Sequence, residues 1–187
     1  MERSQSYIDN GHRDYSTLLC YQKAVVIYDL TYHFCSRYID KKDRTYDQMI
    51  QAARSGKQNI VEGYADATTS YEMALKLYNI ALGSLMELLE DYKDYLRTRG
   101  LQRWKIESKE NKAMRQIGKQ QYDSSYYLDI AKSRTDEVIA NMVIVLIHQE
   151  SIILKNFIRS EIERFAKEGG FREKLTRIRL DNRNRRQ

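Results

Sequence analysis

The sequence predicts an all-α fold, and three observations carry the prediction. Its 187 residues contain no proline, so nothing removes an amide donor and breaks a helix from within. Only 8 glycines punctuate the chain and 31% of residues are charged, a balance suited to long amphipathic helices. Four long segments repeat apolar residues every three or four positions, the period that lines up one helical face. A chain of this length can also bury a full core.

The first segment, residues 17–39, places Leu19, Val26, Leu30, Phe34 and Tyr38 on a single stripe. The second opens on Thr45-x-x-Gln48, a capping box, and is expected to stop at Gly63. Its middle, QMIQAARSGKQNIVEGY, is thin, polar and cationic where an ordinary amphipathic helix would carry leucine. A second capping box, Thr69-x-x-Glu72, starts the third segment. Two neighbouring stripes run down it, Ala74, Leu77, Ala81, Leu88 and Tyr95 beside Leu75, Tyr78, Leu82, Leu85, Leu89 and Leu96. A helix with two apolar stripes touches two neighbours. It is expected to end at Gly100. The fourth segment, residues 133–167, begins apolar on every side (VIANMVIVLI), which suits the centre of the packing, and ends before Gly169-Gly170.

Between the third and fourth segments, residues 100–132 are charged, spotted with aromatics and weakly periodic, with one short helix expected around residues 111–117 and Trp104 packing the stretch down. The chain thus divides into an N-terminal tail (1–16), a helical body (17–168, including the 100–132 connection) and a basic C-terminal suffix (169–187).

Net charge is +6, and its placement matters more than its size. Residues 171–187 hold seven basic side chains against two acidic ones, so the body is close to neutral. Two cysteines are too few for a disulfide scaffold, and Cys20 and Cys35 read as reduced packing residues in a cytoplasmic protein. The polar N-terminus has no apolar leader, and the longest greasy run, MVIVLI, is too short to span a membrane. The expected location is therefore the cytoplasm, without membrane contact.

The run RTYDQMIQAARSGKQNIVEGY followed by EMALKLYNIALGSLMELLEDYKDYL resembles the bacterial four-helix-bundle proteins encoded by intervening sequences in large ribosomal RNA genes. The same superfamily includes the accessory variability determinants of diversity-generating retroelements. IANMVIVLIHQESIILKNFI and FAKEGGFREKLTRIRL resemble the version with a C-terminal suffix extension. The resemblance spans roughly residues 21–180. It implies an antiparallel up-and-down four-helix bundle with a long helix 3–4 connection and a basic C-terminal extension. It also implies a homo-oligomer, a pentamer in the retroelement accessory proteins, and a non-catalytic role binding nucleic acid (RNA or DNA) and a reverse transcriptase. The long connection and the suffix depart from the minimal bundle.

The thin waist of the second segment admits two readings. In one, Ala52, Ala53, Ser55 and Gly56 let another helix backbone approach, while Arg54, Lys57, Gln58 and Glu62 make polar contacts along a seam. In the other, Arg54, Lys57 and Gln58, which share a face, look outward and neutralise phosphates. The suffix, with Leu175, Ile178 and Leu180 interleaved among its basic residues, reads as a short amphipathic helix, an arginine-rich arm or a solvated end, in contact with nucleic acid, with solvent alone or, as a third choice, with a membrane surface. Its arginine excess favours phosphate, since a guanidinium fork engages two oxygens. The candidate nucleic-acid-binding residues are Arg44, Arg54, Lys57, Arg172, Lys174, Arg177, Arg179, Arg183, Arg185 and Arg186.

Fifteen tyrosines raise the prospect of base stacking. Tyr38, Tyr78, Tyr92 and Tyr95 sit at core-compatible positions, leaving Tyr122, Tyr126 and Tyr127 as candidates against a packing role. An enzyme is not expected. The residues three before His12, His33 and His148 are Asp9, Leu30 and Val145, so no pair of Glu-x-x-His motifs exists for a di-iron site. Cys20, His33 and Cys35 match no strong zinc spacing, and no phosphate-cradling glycine loop or nucleophile elbow occurs. No cofactor or metal is implied, and His148 is expected to make a polar contact in the packing of the fourth helix. The competing class is an oligomeric protein-interaction scaffold without nucleic acid.

Overall fold

The computed structural model describes residues 14–169 and 171–185, apart from the side chains of residues 168, 171, 172 and 174. Among these residues the chain is all-helical. After a 3-10 turn at Tyr15–Thr17 come α1 (Leu19–Tyr38), α2 (Arg44–Asp66), α3 (Tyr71–Thr98), α4 (Lys109–Gln120), α5 (Ser124–Ala131), α6 (Asp136–Glu168) and α7 (Phe171–Asn184). Most of the expected N-terminal tail, His12 and Asp9 included, lies outside the described residues, as does Arg186.

The helix ends differ from the sequence reading in instructive ways. α2 is capped by Asp43, whose carboxylate accepts from the Thr45 amide at 2.9 Å, rather than by Thr45 itself. A carboxylate suits a helix N-terminus because the exposed amides and the helix dipole both favour negative charge. α3 is capped by Ser70 instead of Thr69, because the Thr69 hydroxyl donates back to the Asp66 carbonyl and closes the end of α2. Nor does α2 stop at Gly63. It runs on to Asp66, and Gly63 is buried beneath the ring of Tyr78. Gly100 (φ +66°) and Gly169 (φ +74°) do adopt the left-handed conformation that lets the chain leave α3 and α6.

α1 packs against α2 and α6, and α3 packs against the same two. The paired stripes of α3 explain its two neighbours: Ala74, Tyr78, Ala81, Leu85, Leu88, Leu89, Tyr95 and Leu96 are all buried. α2 and α3 share the most extensive pairing, and the small residues of the α2 waist permit it. A Cβ on Gly56 would meet Leu85 at 3.2 Å, and Ala52, Ala53, Gly56 and Gly63 are buried. The backbones approach because leucine is absent there.

α6 has 33 residues and extends about 50 Å at the usual rise. Residues 139–147 are buried without exception, as their all-round apolarity requires. By length and composition α6 is apolar enough to cross a membrane, which the short MVIVLI run had not suggested. Yet 67% of its most apolar window is buried inside the protein, so most of that surface is already covered by the other helices.

The 100–132 connection holds two helices where one was expected. α4 packs on α6 and α5 on α1. α5 escaped the sequence reading because eight residues give little periodicity, and its start is set by Asp123 accepting from the Ser125 amide. Trp104 is half-buried against the core, and its amide donates to Asn141 at 2.7 Å, fastening the connection to α6.

Candidate nucleic-acid interface

α7 follows the Gly169 turn and takes part in none of the main helix pairings among the described residues. Arg177, Arg179, Arg183 and Arg185 are all exposed. None of them enters an ion pair among the described residues. Arg179 and Arg183 stand one turn apart on one side. Leu175 and Ile178 share another face, where Ile178 is half-buried and Leu175 exposed. The backbone positions of Arg172 and Lys174 are helical, while their side chains lie outside the described set.

The second group of candidate cations lies on α2. Arg44 stands exposed at its first turn and Arg54 exposed at its middle. Lys57 is half-buried, with Nζ 4.3 Å from the ring centroid of Tyr28 on α1. The small residues of the waist and the exposed Arg54 therefore lie on different faces of one helix. The small side chains serve close packing toward α3, while Arg54 points away from the core. α2 does not pair with α7 among the main helix pairings of the described residues, so the two groups of cations sit on separate elements.

Of the three stacking candidates, Tyr127 is fully buried and donates its hydroxyl to the Gln121 carbonyl at 2.9 Å. Tyr122 is half-buried and covered by the Lys23 ammonium, 4.1 Å from the ring centroid. Tyr126 alone is exposed, at 39%. The packing role is the one observed for Tyr127 and Tyr122.

The sequence reading missed two fully buried charges. Lys23 is fully buried and donates to the carbonyls of Gly118 and Gln121 at 2.5 and 3.0 Å, the C-terminal end of α4. An ammonium there answers unpaired carbonyls and the negative end of the helix dipole. Burial lowers its pKa to about 8, a shift partly offset by Glu150. Glu150 on α6 is also fully buried, and neither carboxyl oxygen has a hydrogen-bond partner in the protein. Burial holds its pKa well above the ordinary value despite the attraction of Lys23. The signal available in the sequence was spacing: Lys23 falls beside Cys20, Ala24 and Ile27 on the buried side of α1, and Glu150 lies between Ile147 and Leu154 on α6.

Cys20 and Cys35 are free thiols, each pushed up to about 12 chiefly by burial. His33 is lowered by burial and by Arg37 and Lys132. His148 is exposed rather than engaged in the packing of α6, and partial burial together with Lys93 and Arg103 lowers its pKa. Among the described residues no group of three or more His, Cys, Asp and Glu side chains is placed to hold a metal ion. The chain shows no significant match to any protein-family model, curated protein or solved structure.

Proposed function

We propose that the chain is a non-enzymatic, cytoplasmic, nucleic-acid-binding homo-oligomer built on an antiparallel up-and-down four-helix bundle. The observation that carries the binding is the set of exposed arginines on α7, unpaired among the described residues. A row of guanidinium groups on a helix with no main packing partner suits a polyanion: each fork takes two phosphate oxygens, and each neutralised phosphate releases condensed counterions. The bundle is supported by the pairings of α1, α2, α3 and α6, each against two others, and by the short links at residues 39–43 and 67–70. Links that short make sequential helices antiparallel neighbours. A reverse transcriptase is the protein partner that the family resemblance suggests.

Titration of RNA and DNA oligonucleotides at several salt concentrations tests the reading. Binding falls steeply with salt, and removal of residues 171–187 flattens the log–log slope by about 0.7 to 0.9 for each phosphate that α7 had neutralised. Unchanged affinity and slope after the deletion would assign α7 to solvent.

One observation favours the second reading, an interaction scaffold. Met73 and Ile80, two turns apart on one side of α3, are 45% and 43% exposed. Such a strip suits another helix. On that reading the chain binds no nucleic acid at physiological salt, and Ile80→Glu disrupts its assembly.

A further inference from the structure

We propose that the outer seam between α1 and α2 is a stacking platform for single-stranded nucleic acid, formed by Tyr21, Tyr28 and Tyr32 with Lys57 and Arg54 beside them. The proposal rests on the nucleic-acid reading above and adds the strand type and the surface. The tyrosines are spaced seven and four residues apart, with Val25 between them, so all lie within one face of α1. This face runs from the edge of the core, against which Tyr21 and Tyr28 pack, out to solvent at Tyr32. Cys20, Ala24, Ile27 and Phe34 are buried, whereas Tyr21, Val25 and Tyr28 are half-buried and Tyr32 is 53% exposed.

α2 supplies the charge. Lys57 Nζ lies 4.3 Å from the Tyr28 ring centroid, and the Ser36 and Tyr46 hydroxyls lie 3.5 Å apart. These two contacts set α1 and α2 side by side in opposite directions, with Lys57 at the edge of the Tyr28 ring. Arg54, one turn back from Lys57 on α2, is exposed. Asp29, the neighbouring acid on α1, instead accepts a hydrogen bond from Ser124 of α5.

Interleaved rings and cations match the two chemistries of a single strand. Base faces stack on the rings whatever the base, and the cations follow the phosphates. A duplex hides its base faces within its own stack, so a platform of rings selects unpaired strands. The charge pattern is also poorly suited to an apolar partner helix, which would have to strip water from Arg54 and Lys57 without an acid to receive them.

Fluorescence anisotropy of the full-length chain with labelled oligo-dT, oligo-U and a mixed-sequence duplex of equal length tests the platform. Tyr32→Ala alters an exposed side chain and Tyr28→Leu keeps apolar bulk, so both should melt like the wild type. Each is expected to weaken single-strand binding about 5- to 100-fold, the range for loss of one stacked base, while leaving the salt slope unchanged. Lys57→Gln and Arg54→Gln should lower that slope. Unaltered single-strand affinity in both tyrosine variants, an equal loss on the duplex, or dissociation of an oligomer by Tyr32→Ala would overturn the platform; the last would make the seam a subunit interface. A wild-type chain that binds none of the probes at low salt would overturn the nucleic-acid reading itself, and the platform with it.

Discussion

The ring of Tyr78 on α3 occupies the space beside Gly63 on α2 so fully that a Cβ on the glycine would lie 2.6 Å from Cε1 and 3.1 Å from the Ala74 carbonyl. Tyr78 is fully buried and Ala74 is backbone, so neither can yield. Gly63→Ala should therefore destabilise the protein by about 1–3 kcal/mol, the usual range for overpacking. Gly56→Ala should do so less, because it meets only the Leu85 side chain below 3.4 Å. Gly83 is a helical glycine with nothing within 4 Å, and Gly83→Ala should stabilise by up to about 1 kcal/mol. Thermal melts of the three variants check the order, and a stabilised Gly63→Ala would refute the close approach.

Two buried tyrosines should respond oppositely to loss of the hydroxyl. Tyr92 donates to Thr31 Oγ1 at 3.1 Å, and Thr31 donates onward to the Ile27 carbonyl at 2.7 Å. Tyr92→Phe should cost about 0.5–1.5 kcal/mol, the net worth of one such bond. The Tyr78 hydroxyl is buried with no hydrogen-bond partner in the protein. Tyr78→Phe removes an unsatisfied group and should be neutral or stabilising. Denaturant unfolding of the pair decides it: equal losses would mean that the Tyr78 hydroxyl is satisfied.

The helices themselves were legible because periodicity is a sum over many residues, so α1, α3 and α6 came within a few positions of their observed ends. Single residues were harder to read. Gly63 carries the composition of a helix terminator, but its role is set by Tyr78, fifteen positions away. Thr45 and Asp43 are both good caps, and only the chain path selects Asp43. Of the site, the exposure of Arg54 and of the α7 arginines follows from pattern. The capture of Lys57 by Tyr28 and the burial of Lys23 and Glu150 do not, because each depends on a partner from another helix. The tyrosine face of α1 was masked by a simple ambiguity: Tyr21, Tyr28 and Tyr32 have the same helical spacing as a core stripe, and only the packing says which stripe faces in.

Glu150 makes stability depend on pH in an unusual direction. Its neighbours are Lys23, which attracts the charged form, and Cys20 across the core on α1. The folded state keeps a proton that the unfolded chain releases above the ordinary value of 4.5. Its contribution is therefore full below about pH 4.5 and is lost as pH rises, by about 1.4 kcal/mol per unit while the folded carboxyl stays neutral. Glu150→Gln abolishes that loss, so the variant's advantage over the wild type should grow between pH 5 and pH 8. A constant difference across that range would show that Glu150 is not protonated in the folded protein.

Lys23 is expected to control how firmly the α4–α5 connection is held. Its ammonium bonds the Gly118 and Gln121 carbonyls and lies over the Tyr122 ring, so one side chain from α1 ties the end of α4 to the start of α5. Lys23→Met keeps the bulk and removes these bonds. Hydrogen exchange in residues 109–131 should then speed up by roughly tenfold or more, equivalent to about 1.4 kcal/mol of local stability. Amides in the α2–α3 pairing should change much less. The pH dependence has a definite sign. Lys23 has a pKa of about 8 when buried and near its ordinary 10.5 when the segment opens. Between those values the open state holds the extra proton, so the closed state gains as pH rises through that window. The wild-type connection should become better protected, relative to intrinsic exchange, from pH 8 to pH 10, and Lys23→Met should lose that gain. If the variant exchanges as the wild type does throughout α4 and α5, the connection is held by Gln149, which donates to the Arg115 carbonyl at 2.8 Å, and by its apolar contacts with α1 and α6.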